Sequence, residues 1–166
     1  MLYLNPFASQ PSLTKLPIMS ILLSVDLGLK AGLAWFTGEG RLLRCRSAHF
    51  ATRGVLKKAL PSIFAEVPGL TEVVLEGGGP IADVWINYIR KQGLPYRQVS
   101  AEDWRRDTLF LRERRSGLQA KNNAERLAAD LMARNGITKP QAIGNDVAEA
   151  ILCGFWALCQ RSSFEF

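Results

Sequence analysis

The chain has 166 residues, 48% of them hydrophobic and 22% charged, with 21 Lys and Arg against 15 Asp and Glu and a formal net charge of +6. That balance excludes intrinsic disorder and collagen-like repeats, and a chain of this length buries roughly 70% of the surface its unfolded form exposes, enough for one core without disulfides or a structural metal. The longest uncharged apolar run, Ala150–Cys159, is ten residues, about half of the roughly 20 that a bilayer-crossing helix needs, so no membrane span is expected.

Cys45, Cys153 and Cys159 are odd in number, form no Cys-x-x-Cys pair and have no zinc-like spacing to the single His49. A reducing, cytoplasmic setting is therefore expected, with the thiols as core fillers. The first eighteen residues hold Lys15 as their one charge and lack a basic start followed by an apolar stretch, which argues against a secretory signal. Residues 1–18 are expected to be a flexible tail, or a stretch upstream of the true start, and residues 19–166 a single domain.

From Ile21 the runs ILLSVDLG, AGLAWFT and RLLRCRSAHF are apolar or alternating, and are separated by Gly28–Gly32 and by Gly38-Glu39-Gly40. Three strands joined as hairpins are expected. Gly54–Val67 carries Val55, Leu56, Ala59, Ile63 and Val67 at helical spacing, with Pro61 a candidate kink. Thr71–Gly77 reads as a continuous apolar strand, and Gly77-Gly78-Gly79-Pro80 breaks it before a helix from about Pro80 to Lys91, which Gly93 ends. In that helix Trp85, Tyr88 and Ile89 suit packing or a dimer seam.

Pro95–Ala101 reads as a fifth strand, and Ser100 with Asp103 resembles a helix start. A basic stretch follows. Gln119–Asn135 then places Ala124, Leu127, Ala128, Leu131 and Met132 at helical spacing, with Gly136 as a stop, and a last helix opens near Asn145-Asp146 and runs to about Cys159. This order predicts an α/β fold, a mixed sheet flanked by helices.

Carboxylates occur in three unexpected places. Asp26 ends a run apolar enough for a strand buried on both faces, and Glu76 ends the apolar run Val73-Val74-Leu75; a buried carboxylate is costly unless something positive meets it. Asp and Glu are common at turns and rims, so each has a plain structural reading as well. Asp146 and Glu149 stand three apart at the mouth of an otherwise apolar helix. They share one face and repel, with the helix dipole as partial offset. Together the four describe carboxylates gathered to hold hard divalent cations, which prefer oxygen ligands. Two magnesium ions so held hydrolyse a phosphodiester in line.

Between Trp104 and Lys121 the basic residues Arg105, Arg106, Arg112, Arg114, Arg115 and Lys121 face only Asp107 and Glu113, so about a tenth of the chain carries two thirds of its net charge. Such a patch attracts a phosphate backbone, although a charge run is often only a solvated face. Lys121 opens a helix, where a cation opposes the dipole and a phosphate partner would suit it. Trp104 is expected in the core rather than against a base, and His49 is expected to be structural or exposed.

A strand ending in Asp26-Leu27-Gly28, a strand ending in Glu76, the segment with Trp104-Arg105 and Lys121, and Asp146-x-x-Glu149 together resemble the RuvC-like Holliday junction resolvase family. The resemblance spans about Ile21 to Leu158. It implies an RNase H-like fold of five strands, a homodimer, two magnesium or manganese ions per site and nicking of four-way DNA junctions. It also implies that Asp26, Glu76, Asp146 and Glu149 are the metal-binding positions and Lys121 the basic residue near the scissile phosphate. The chain departs from the pattern in the loop Leu27–Gly32, which lacks proline and threonine, in Glu149 where aspartate is usual, and in Gly77-Gly78-Gly79-Pro80 where an aromatic often follows the strand glutamate. Alternative readings are an RNase H-fold nuclease for other branched DNA or RNA-containing substrates, a non-catalytic nucleic-acid binder, and an ATP-binding protein sharing Val25-Asp26-Leu27-Gly28; the last would need a second related domain.

Overall fold

The computed structural model describes residues 20–108, 117–138 and 143–162. The expected tail at 1–18 and the basic residues Arg112, Arg114 and Arg115 lie outside them. The elements in order are β1 (Ile21–Asp26), β2 (Lys30–Thr37), β3 (Leu42–His49), α1 (Arg53–Ala65), β4 (Leu70–Glu76), α2 (Gly79–Lys91), β5 (Tyr96–Val99), α3 (Ala101–Thr108), α4 (Gly117–Arg134) and α5 (Asn145–Ser162).

The strands form one sheet in the order β3-β2-β1-β4-β5. β1 pairs antiparallel with β2 and parallel with β4, β2 pairs antiparallel with β3, and β4 parallel with β5. β1 thus lies at the centre with both faces covered, which is why its sequence is almost continuously apolar rather than alternating. The edge strand β3 alternates, and its outward Arg44 and Arg46 both pair with Glu66 just after α1. Charged side chains along such an edge discourage pairing with another sheet.

Successive strand residues feed opposite layers. Ile21, Leu23 and Val25 join Leu33, Trp35, Leu56, Leu60, Trp85 and Ile89 in a core under α1 and α2. Leu22, Ala34, Phe36 and Val74 join Trp104, Ala124, Ala128, Ile151 and Cys153 in a second core under α3, α4 and α5. Trp85 and Ile89 are therefore core residues, not a seam, and Tyr88 packs edge-on against Phe64 with ring centroids 4.8 Å apart.

α1 runs on through Pro61, the candidate kink; the proline is exposed, so water can reach the carbonyl left without its helical donor. Two local expectations change. α5 is not buried all round. Phe155 and Trp156 are half-buried, and the Trp156 Nε1–H donates to Asp107 Oδ2 of α3 at 2.8 Å. Cys159 is likewise exposed rather than core, while Cys153 is buried.

Candidate metal centre

Asp26 and Glu76 are the last residues of adjacent parallel strands and sit side by side in the sheet register. The crevice beyond the carboxyl ends of parallel strands is where open α/β sheets place their ligands. The same register row continues outward on one side through Gly32 to Ser47 and on the other to Val99. Side chains across one row point to one face, here the face that carries α5.

Gly32 explains how α5 reaches this row. A Cβ on Gly32 would stand 1.8 Å from the Asp146 carbonyl oxygen and 2.8 Å from the Val147 nitrogen. The bare backbone lets the first turn of α5 lie directly on β2, with Ser47 to one side and Asp26 to the other. Gly77, at φ 110 immediately after Glu76, turns the chain away in a conformation that favours glycine, while its N–H donates to Val99 O at 3.0 Å. β4 therefore stops with its carboxylate at the rim.

Oxygen atoms of Asp26, Glu76 and Glu149 all lie within 4.8 Å of one another. Carboxylate oxygens around a shared magnesium stand up to about 4 Å apart, so the cluster is close to coordinating dimensions. Glu76 and Glu149 are buried and Asp26 half-buried. Burial first, then the charges of Glu76, Glu149 and Asp146, push the Asp26 carboxyl up to about 8. Burial and the Glu149 charge push Glu76 up to about 7, against the pull of Trp104 and Arg105. Carboxylates packed this closely call for a cation, and an all-oxygen donor set suits a hard divalent ion. The residues present fit such a group.

Asp146 stands beside the three rather than among them. Its Oδ2 accepts a hydrogen bond from Ser47 Oγ, and Lys30 Nζ lies 3.6 Å from its Oδ1. Sequence reasoning missed Ser47 and Lys30. Their signal is visible only in the pairing of β2 with β3, which sets Ser47 opposite Gly32 and Lys30 opposite His49.

α3 supplies two further neighbours. Trp104 is fully buried, as expected of a core residue, which rules out stacking on a base; its Nε1–H donates to Glu76 Oε2 at 2.9 Å. Arg105, expected to meet a phosphate backbone, instead directs Nη2 to Glu149 Oε1. Arg106 is exposed and lies 3.3 Å from Asp107. Lys121 is exposed in the first part of α4. His49 is exposed at the end of β3.

No family model matches the chain, and neither does any curated protein. Among solved structures, the crystal structure of the fowlpox virus Holliday junction resolvase superposes with a TM-score of 0.65 at 12% identity, covering 84% of this chain and 99% of that one. This chain shares the fold of that structure. The fowlpox virus resolvase in complex with substrate Holliday junction DNA gives a TM-score of 0.57 at 13% identity, again covering 84% and 99%. The mixed five-stranded sheet with helices on both faces is thus of the RNase H-like type seen in that resolvase, and at this identity the likeness speaks to architecture. Among the described residues no helix is long and apolar enough to cross a membrane.

Proposed function

We propose that this chain is a metal-dependent endonuclease for branched DNA that nicks four-way junctions. The observation that carries the reading is the convergence of Asp26, Glu76 and Glu149, from β1, β4 and α5, in one largely buried acidic cluster. The likeness to a resolvase fold whose fowlpox example was captured with Holliday junction DNA supports the substrate class.

Asp26, Glu76 and Glu149 would hold one magnesium or manganese ion, and Asp146, with Asp26, a second. A pair of such ions supplies an activated water and stabilises the attacking and leaving oxygens of the phosphodiester. The chain's own groups do the rest. Trp104 fixes the Glu76 carboxylate by its hydrogen bond, and Ser47 and Lys30 fix Asp146. Lys121, Arg106 and the outlying Arg112, Arg114 and Arg115 bind the phosphate backbone by charge. A homodimer presents two such centres to the two strands cut in a junction. The three cysteines, none in a disulfide, suit a reducing cytoplasm.

Replacing Asp26 or Asp146 with Asn leaves the fold and the basic surface in place. Cleavage of a four-way junction should fall at least about a thousandfold, the effect of losing several kcal/mol of transition-state stabilisation, while junction binding in a gel-shift assay persists. Cleavage that survives in both variants refutes the assignment. Turnover compared on four-way, flap and RNA–DNA hybrid substrates decides the substrate; a preference for the hybrid would replace the junction reading.

A further inference from the structure

We infer that Arg105 is a built-in counter-cation of the acidic cage, which holds Glu149 until a divalent ion takes its place and competes with that ion for the site. This rests on the metal-dependent reading above and adds to it a residue that opposes loading.

The geometry of the guanidinium is that of a partial engagement. Nη2 meets Glu149 Oε1, but Nε is buried with no hydrogen-bond partner among the described residues, and the guanidinium carbon lies 5.2 Å from the centroid of the Trp104 ring. An arginine fully committed to a carboxylate presents a fork of two parallel donors, and a buried donor left unmade favours any arrangement that satisfies it. The side chain also has a way out. It is 26% exposed, whereas its Glu149 partner is 9% exposed.

Adjacent residues of α3 thus play different parts at one cage. Trp104 is neutral, fully buried and hydrogen-bonded to Glu76, and an uncharged donor can remain beside a loaded carboxylate. Arg105 is always charged. A guanidinium and a divalent ion sharing Glu149 would repel at close range in a poorly solvated site, so occupation by one disfavours the other. Among the described residues, Arg105 is the one cation acting on both Asp26 and Glu76, which fits a counter-charge to the whole cluster rather than to Glu149 alone.

The test is a Mn2+ titration of the full chain at pH 8 without DNA, read by calorimetry or by the signal of the free aquo ion, on the parent, R105Q and R105K. R105Q should bind Mn2+ about tenfold more tightly. R105K should fall between it and the parent, since lysine keeps the charge and loses the fork. A residue that only props up the fold would lower the melting temperature and leave the affinity alone or weaken it. Unchanged or weaker binding in a folded R105Q overturns the inference; should R105Q fail to fold, unchanged or weaker binding in R105K does so. No Mn2+ site in either the parent or R105Q overturns both this inference and the metal-centre reading, whereas a parent that binds and an R105Q that binds no tighter overturn only the role of Arg105.

Discussion

The carboxylates that end the strands and those that open α5 are held in opposite ways. Asp26 and Glu76 sit where the backbone of the sheet puts them, side by side in register, with burial and the charge of neighbouring carboxylates, Glu149 above all for Glu76, raising both. Asp146 and Glu149 are each met by a cation, Lys30 and Arg105 respectively, and depend on a helix that must be laid against β2. The strand pair is fixed by hydrogen bonding and carries electrostatic stress; the helix pair has a cation beside each carboxylate and depends on packing. An acidic site assembled this way has one rigid half and one that tertiary contacts must deliver.

Displacing the helix while leaving the strands alone is the strongest way to break that division. Gly32→Ala drives a methyl group into the Asp146 backbone, and overpacking of this kind costs about 3 kcal/mol. The melting temperature should drop by about 10 °C and Mn2+ affinity should fall, as measured by calorimetry. Parent-like values for both would show that α5 is not pinned at Gly32.

Acid and base then test the strand pair. Asp26 stands at about 8 against an ordinary 3.8, and Glu76 at about 7 against 4.5. Between those limits the folded chain keeps protons that the unfolded chain has released, so stability falls as pH rises. The contribution is complete below about pH 4 and has gone once pH passes about 8. Melting followed from pH 5 to pH 9 in chelator should show a steady decline, and Mn2+ should flatten it, because the ion replaces the lost protons. A chelated chain that melts higher at pH 9 than at pH 5 would contradict the stressed strand pair.

A smaller change sharpens the comparison at one atom. Trp104→Phe keeps the ring in the core and removes the donor to Glu76, at a cost of about 1–3 kcal/mol for a buried acceptor left unmade. Because that hydrogen bond lowers the Glu76 pKa, its removal should move the Glu76 titration above about 7 in a carboxyl-labelled NMR experiment. A titration that stays put would detach Trp104 from the site.

Much of this was legible along the chain. Hairpins announced by glycine, the apolar run of the central strand, and the helices from Arg53 to Lys91 follow from local spacing and turn chemistry, as does the suspicion attached to Asp26, Glu76 and Glu149, which are the wrong residue type for their neighbours. Such signals are local, because side-chain period and backbone dihedral limits act over a few residues. The roles of Trp104, Arg105, Ser47 and Lys30 were not legible in this way. Trp104 read correctly as core but gave no hint of its bond to Glu76, and Arg105 read as part of a basic run when it turns inward to Glu149.

The sequence by itself determined which residues would form strands and helices, and which carboxylates were out of place, since both depend on each residue's own chemistry and nearest neighbours. Only the tertiary structure decided which charges meet. Ser47 reaches Asp146 across 99 positions and Arg105 reaches Glu149 across 44, and those meetings exist because Gly32 lets a helix rest on a strand. Coulombic and hydrogen-bonding energies depend on separation in space, and strand register and helix packing, not distance along the chain, set that separation.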